Sequence, residues 1–177
     1  MTLGTGPEAL ADLFLNEWET DRPGRDTPVP PAVHPDDRRE EFGVLITHDR
    51  GVVEQHQGVH DLIHCYHPEG GPFDISDSGH VEERRTEIVQ VDIDLSDRTD
   101  QDTGERLSAR ENMVGGRSED YGGILGETKY VLETVRRGFA EYDVVRHDGL
   151  GGTIQNSNAG FSFNVELVTL ARNTADA

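Results

Sequence analysis

An α+β fold is what the apolar pattern of this chain predicts, and three features carry the prediction. Residues 86–95 and 161–170 alternate apolar and polar side chains, the period of half-buried strands. Leu125, Thr128, Leu132, Val135 and Phe139 step by three or four, as the core stripe of a helix does. Several strand-like segments precede that helix in succession, which implies an antiparallel sheet with an N-terminal helix and a second amphipathic helix packed on one face.

The first element is a short amphipathic helix from Pro7 to Trp18. Proline suits the first helical turn, Glu8 favours the positive end, and Leu10, Leu13, Phe14 and Trp18 share a face. Residues 19–41 hold Pro23, Pro28, Pro30, Pro31 and Pro35 among charges, the composition of an extended arm or linker. Phe42 to His48 is a strand candidate, Asp49-Arg50-Gly51 a turn, Val52 onwards a second strand, and Val59 to Tyr66 a third. Pro68, Gly70, Gly71 and Pro72 end that region. Thr86 to Leu95 is the clearest strand, with Val89, Val91, Ile93 and Leu95 on one face and Gln90, Asp92 and Asp94 on the other.

Residues 96–123 are polar, acidic and glycine-rich, and are expected to form a loop too long to be a mere connection. The second helix follows and ends near Gly138 or Tyr142. Tyr142 to Arg146 fits a short strand, and Phe161, Phe163, Val165, Leu167 and Thr169 define a final one. The 177 residues suit a single α+β domain, 1–177, able to bury about 70% of its unfolded surface. Apolar residues make up only 33% of the chain, so much of it must be loop.

The charge pattern describes a solvent. One lysine, Lys129, stands against fifteen arginines and thirty-five acids, for a net charge of −19. Such a chain repels itself at ordinary ionic strength, whereas in molar salt the Debye length falls to about 3 Å and the penalty largely disappears. The acids are spread over the whole length rather than gathered in one tail. We therefore expect a halophilic protein, haloarchaeal or from a haloarchaeal virus. Duplex DNA binding through a basic patch does not fit, because phosphate contacts need clustered cations and molar salt abolishes counterion-release affinity. The single cysteine, Cys65, excludes an intrachain disulfide and any CxxC zinc motif. No apolar run reaches the length of a membrane span, and no basic and apolar leader opens the chain. We expect no membrane partner.

His56, His60, His64 and His67 are the strongest chemical signal. On a helix their spacing places all four on one face, a metal-ligand geometry. On a strand His56, His60 and His64 still share a face but spread over about 13 Å, too far for one ion. Gly58 and the β-branched Val52, Val53, Val59 and Ile63 argue for strand, and no HExxH is present. These histidines are then expected at the surface or between subunits. Asp92 and Asp94 share a strand face, as carboxylates of some two-metal nucleases do, but a chain this acidic offers many such pairs. Residues 97–104 place oxygens at alternating positions, yet Ser108 stands where a calcium loop needs its bidentate glutamate. Gly115-Gly116 and Gly149-Leu150-Gly151-Gly152 lack the GxxxxGK[ST] of a phosphate loop, and Ser, His and Asp occur in no nucleophile-elbow context. Cys65, near His64 and His67, fits a small apolar strand residue. No catalytic set or cofactor motif emerges, so we expect a protein that is not an enzyme.

The second half of the chain, EIVQVDIDL (Glu87–Leu95), GETKYVLETVRRGFAEYDVV (Gly126–Val145) and FSFNVELVTLARN (Phe161–Asn173), resembles the tail-terminator or tail-completion proteins of tailed viruses in its order of elements. The N-terminal helix fits that family's opening element. The resemblance covers about two-thirds of the chain and includes no short diagnostic motif. It implies a virion structural protein, located at the tail or neck and made in the host cytoplasm at high salt. Such a protein forms a homo-oligomeric, hexameric ring that caps the tail-tube protein, stops its polymerisation and meets a neck or head-completion protein. Genome DNA then passes through the channel, with Asp97, Asp100 and Asp102 as channel-lining candidates. Arg84, Arg85, Arg136 and Arg137 are candidates for subunit-interface pairing, since guanidinium keeps bidentate geometry in salt. The alternative is a metal-dependent enzyme or metal-binding module using the four histidines.

Overall fold

Pro7 and Glu8 open a helix, α1 (Gly6–Glu17), whose apolar stripe Ala9, Leu10, Leu13 and Phe14 is buried against the sheet. The computed structural model describes residues 6–23, 25, 28–37, 43–55, 61–68, 73–77, 82–99, 104, 106–115, 122–134, 142–155 and 157–172, with side chains described except at 73–77, 82–85, 142–146 and 169–172. The α+β class holds: helices pack on a seven-stranded sheet of order β1-β2-β3-β5-β9-β8, with β4 also paired to β5.

The segment expected as an extended arm instead folds back. Trp18 Nε1 donates to the Pro30 carbonyl at 2.8 Å and Val29 N to the Thr20 carbonyl at 2.8 Å, which brings residues 28–30 back beside the end of α1 with Val29 buried. β1 (Ala32–Val33) and a short 3-10 turn, Pro35–Asp37, follow. β2 (Val44–Thr47) is buried along its whole length because both faces are covered.

The turn and second strand expected after residue 48 are instead a helix, α2 (Arg50–Gln55). Thr47 Oγ1 accepts the Asp49 amide at 3.0 Å and Asp49 Oδ1 accepts the Gly51 amide at 2.8 Å, so local side-chain bonds turn the chain into the helix. The helix carries the crossover that parallel neighbours require. β1, β2 and β3 (Asp61–Tyr66) accordingly run parallel, while the pairings of β3, β4 (Phe73–Asp77), β5 (Glu82–Ser96), β8 (Tyr142–Ile154) and β9 (Asn158–Arg172) are antiparallel, as expected.

The stretch expected as a loop, 96–123, contains structure. A two-residue ribbon joins β6 (Arg98–Thr99) to β7 (Arg106–Leu107). Ser108 caps α3 (Ala109–Val114): its Oγ accepts the Glu111 amide at 3.2 Å and lies 3.1 Å from Glu111 Oε1. Gly123, at φ +65°, then starts α4 (Gly123–Thr134) so close to α3 that a Cβ there would lie 2.4 Å from the Met113 carbonyl. The expected continuation of this helix, with Val135 and Phe139, lies outside the described residues. β8 runs on through Gly149, Gly151 and Gly152 to Ile154, well past the short strand the sequence suggested, and meets β9 in a turn where Gln155 N donates to the Asn158 carbonyl at 2.9 Å.

One core joins α1, α3 and α4 to the sheet face bearing Val44, Ile46, Ile63, Cys65, Val89, Val91, Ile93, Phe163, Val165 and Leu167. A smaller core on the opposite face joins α2 to the sheet through Val33, Leu45, Val52 and Leu62. Helices thus cover both faces rather than one. Beyond that core the described residues of the second face on β5 and β9 are mostly polar, Gln90, Asp92, Asp94, Ser162, Asn164 and Glu166, with Ile88 and Val168 among them.

Candidate functional site

On that second face β3 and β5 set His64 beside Asp92 and Tyr66 beside Gln90. The side chains alternate, so the same strands that bury Ile63, Cys65, Val91 and Ile93 must turn these polar groups outward. Together with α2 they enclose a cleft of about 700 Å³ lined by His48, Arg50, Val53, Glu54, His64, Tyr66, His67, Pro68, Gln90 and Asp92.

Asp92 organises this cleft. Its Oδ2 accepts the Tyr66 hydroxyl at 2.6 Å, and its Oδ1 accepts Gln90 Nε2 at 2.9 Å and the Ser162 hydroxyl at 2.6 Å. The His64 ring stacks on Tyr66 with centroids 4.7 Å apart. Burial pushes the His64 imidazole below its ordinary value, against the pull of Asp92. Burial, with the hydrogen bond to Asp92, pushes the Tyr66 phenol up to about 12. Around Asp92, whose carboxylate is already engaged by three donors, the cleft therefore presents a neutral imidazole and a neutral phenol, and the exposed pair Arg50–Glu54 also lines it. Such groups orient hydrogen bonds, and the raised Tyr66 phenol is not an activated nucleophile. Burial also raises the Cys65 thiol, which points into the opposite core.

Among the described residues, three buried carboxylates lie outside the lining of this cleft. Glu127 on α4 is fully buried and meets Arg22 Nε and Nη2, each at 2.7 Å, Arg25 Nη2 at 2.6 Å and the Glu19 amide at 2.9 Å. Burial alone would raise its carboxyl, but the hydrogen bonds from Arg22 and Arg25 hold it below the usual range. Arg22 also lies over the Tyr130 ring, 4.0 Å from its centroid. Asp61 accepts the Ser96 amide at 3.1 Å and Asn112 Nδ2 at 2.6 Å and pairs with Arg98 at 3.2 Å. Burial outweighs these partners and raises its carboxyl. Glu87 accepts the Gly6 amide at the start of α1 at 3.0 Å and bonds the His67 imidazole. These groups tie the 19–25 segment, α3 and α1 to the framework.

The expected site residues are dispersed. His64 lies on a strand, which removes the helical face that the spacing permits; its ring stacks on Tyr66, whereas His67 bonds Glu87. His56 and His60 lie outside the described residues. Among the described residues no group of three or more His, Cys, Asp or Glu is placed to share a metal ion. Asp94 shares the Asp92 face and is exposed. Asp97 follows β5 and pairs with Arg106, whose hydrogen bond pulls its carboxyl below the ordinary value. Asp100 and Asp102 lie outside the described residues, as do Arg136 and Arg137. Arg84 sits in β5 opposite Ser76 and Leu170, and Arg85 opposite Ile75 and Thr169.

Sequence reasoning passed over Tyr66, Glu87, Arg22, Arg25 and Glu127. Glu127 carried a usable signal, since it falls between Ile124 and Val131 on the buried side of α4. A carboxylate there needs a cation from another segment. No protein-family model matches this chain, and no curated protein matches it.

Proposed function

We propose that this chain is a virion structural protein that assembles as a ring at the tail terminus or neck of a haloarchaeal tailed virus, ends tail-tube polymerisation and joins tail to head. The observation that carries the proposal is a long three-strand framework: β5 and β9 each have fifteen residues and β8 thirteen, so β5 extends over about 50 Å, while α1, the twelve-residue helix packed on it, spans about 18 Å. Strands that run well beyond α1 suit a protein completed by its neighbours. The element order of helix, strands, helix and closing strands adds to this, and so does the acidic composition, which lets DNA pass a channel without adhering.

The test is addition of purified protein to polymerising tail-tube subunits in multimolar KCl. Capped tubes of limited length, with the protein at one end, are expected. Unchanged tube lengths with no co-sedimentation would remove the proposal. The second reading, a metal-binding module or metal-dependent enzyme, has in its favour that His48, His64 and His67 line one cleft. Metal analysis of untagged protein decides it: a stoichiometric ion would favour that reading, and a trace would end it.

A further inference from the structure

The cleft between α2 and the sheet is large enough for a small ligand, and its hydrogen-bonding capacity is unbalanced. Its volume of about 700 Å³ lies within the range of small-molecule sites. The donors on its floor are spent inward. Tyr66 gives its hydroxyl and Gln90 its amide to Asp92, and Ser162 on β9 gives its hydroxyl to the same carboxylate. A carboxylate offers about four lone-pair sites, so Asp92 keeps acceptor capacity after these bonds.

His64 stands directly opposite Asp92 in the β3–β5 register. Its ring bonds the His48 main chain, and its Nε2 is shielded from solvent with no hydrogen-bond partner among the described residues. A neutral ring donating through Nδ1 carries a lone pair at Nε2. Native structures rarely leave a shielded polar atom unmatched. Against these two acceptors Gln90 keeps at most one amide hydrogen, so the floor favours a ligand that donates.

The charged groups select the sign. Apart from its histidines the cleft is lined by one cation, Arg50, and two carboxylates, Glu54 and Asp92. Arg50 pairs with Glu54 at 3.4 Å, and both side chains are largely exposed, so that pair stands at the solvent rim while Asp92 carries the charge on the floor. In molar salt a charge is felt only within about 3 Å, which requires the ligand's charge to sit on its donors. Guanidinium meets that requirement: it is planar, weakly hydrated, forked with N–H donors and able to stack on aromatic faces. The stacked rings of His64 and Tyr66 supply such a wall. We propose that this cleft binds a guanidinium group, from a small organic cation or from an arginine side chain of a partner, with Asp92 as its charged acceptor. The proposal does not depend on the ring reading.

The experiment is an NMR titration of the full chain in multimolar KCl with EDTA, using n-butylguanidinium, its neutral isostere n-butylurea, and N-acetylarginine amide. Saturable shifts of the His64 and Gln90 side-chain signals with n-butylguanidinium are expected, with n-butylurea about tenfold weaker. Asp92→Asn is expected to weaken binding by about tenfold or more, whereas Asp94→Asn, on the same face outside the cleft, binds as wild type. Arg50→Gln is expected to bind at least as well as wild type. Tighter binding of N-acetylarginine amide than of n-butylguanidinium supports the site with a protein arginine as source, and equal or weaker binding supports it with a free cation. Should Asp92→Asn not fold, the guanidinium and urea comparison on wild type decides alone. Shifts that do not saturate, equal binding of n-butylurea, undiminished binding by Asp92→Asn, or a loss in Arg50→Gln overturns the proposal.

Discussion

Replacing Glu127 by glutamine tests the principal tertiary bond of the segment that the sequence presents as a linker. The carboxylate is 0% exposed and holds two guanidinium groups within 2.7 Å; the side chain of Arg25 is itself only 2% exposed. Removing one member of a buried ion pair costs about 3–5 kcal/mol, because the remaining charge stays desolvated. Glutamine keeps the shape and an acceptor for the Glu19 amide, which places Glu127→Gln near the lower end, about 3 kcal/mol. Urea unfolding in multimolar KCl measures it. The loss should persist as salt rises, since a buried pair is screened far less than a surface one. The pH dependence carries a sign. The folded carboxyl lies below its ordinary 4.5, so its contribution is complete above that value and is lost as pH falls through the folded value. Glu127→Gln lacks that acid loss. A cost below about 1 kcal/mol, or one that vanishes in salt, would assign the cluster to the solvated surface and refute the reasoning.

Other consequences are equally direct. Cys65 is fully buried with its thiol pushed up, so labelling by a thiol reagent should follow the rate of global unfolding; rapid labelling of native protein would contradict its place in the core. His64 is held neutral by burial, so the unfolded chain takes up its proton first as pH falls below the ordinary 6.5, and stability declines from there toward the folded value. His64→Gln should lack that part of the decline, and an imidazole titrating at or above 6.5 by NMR would refute the assignment. Gly123→Ala forces a Cβ against the Met113 carbonyl at positive φ and should cost about 2 kcal/mol or more in urea unfolding, whereas an unchanged midpoint would mean that α3 and α4 meet differently.

The strands were legible where one face is apolar and the other polar. Val89, Val91, Ile93 and Leu95, and likewise Phe163, Val165 and Leu167, alternate because only one side of β5 and β9 meets the helices. β2 is buried on both sides, so its residues gave no period to distinguish a parallel from an antiparallel neighbour. α2 was hidden by length: its six residues expose too little pattern, and Gly51 and two valines favour other conformations. α3 was readable, because Ser108 and Glu111 form the S-x-x-E capping signature immediately before buried Asn112 and Met113, but the acidic surroundings masked it. Arg22 and Arg25 illustrate what one-dimensional reading misses, since their partner lies over a hundred positions away. The cleft was legible only in parts. Asp92 and His64 stood out as residue types, but the register that sets them side by side with Tyr66 and Gln90 belongs to the fold.

The measurement that bears most directly on the assembly reading is the mass of the purified full-length protein by light scattering in multimolar KCl, with electron micrographs of the same fraction. A closed hexameric ring with a central channel is expected. A strictly monomeric protein that binds no tail-tube subunit would contradict it.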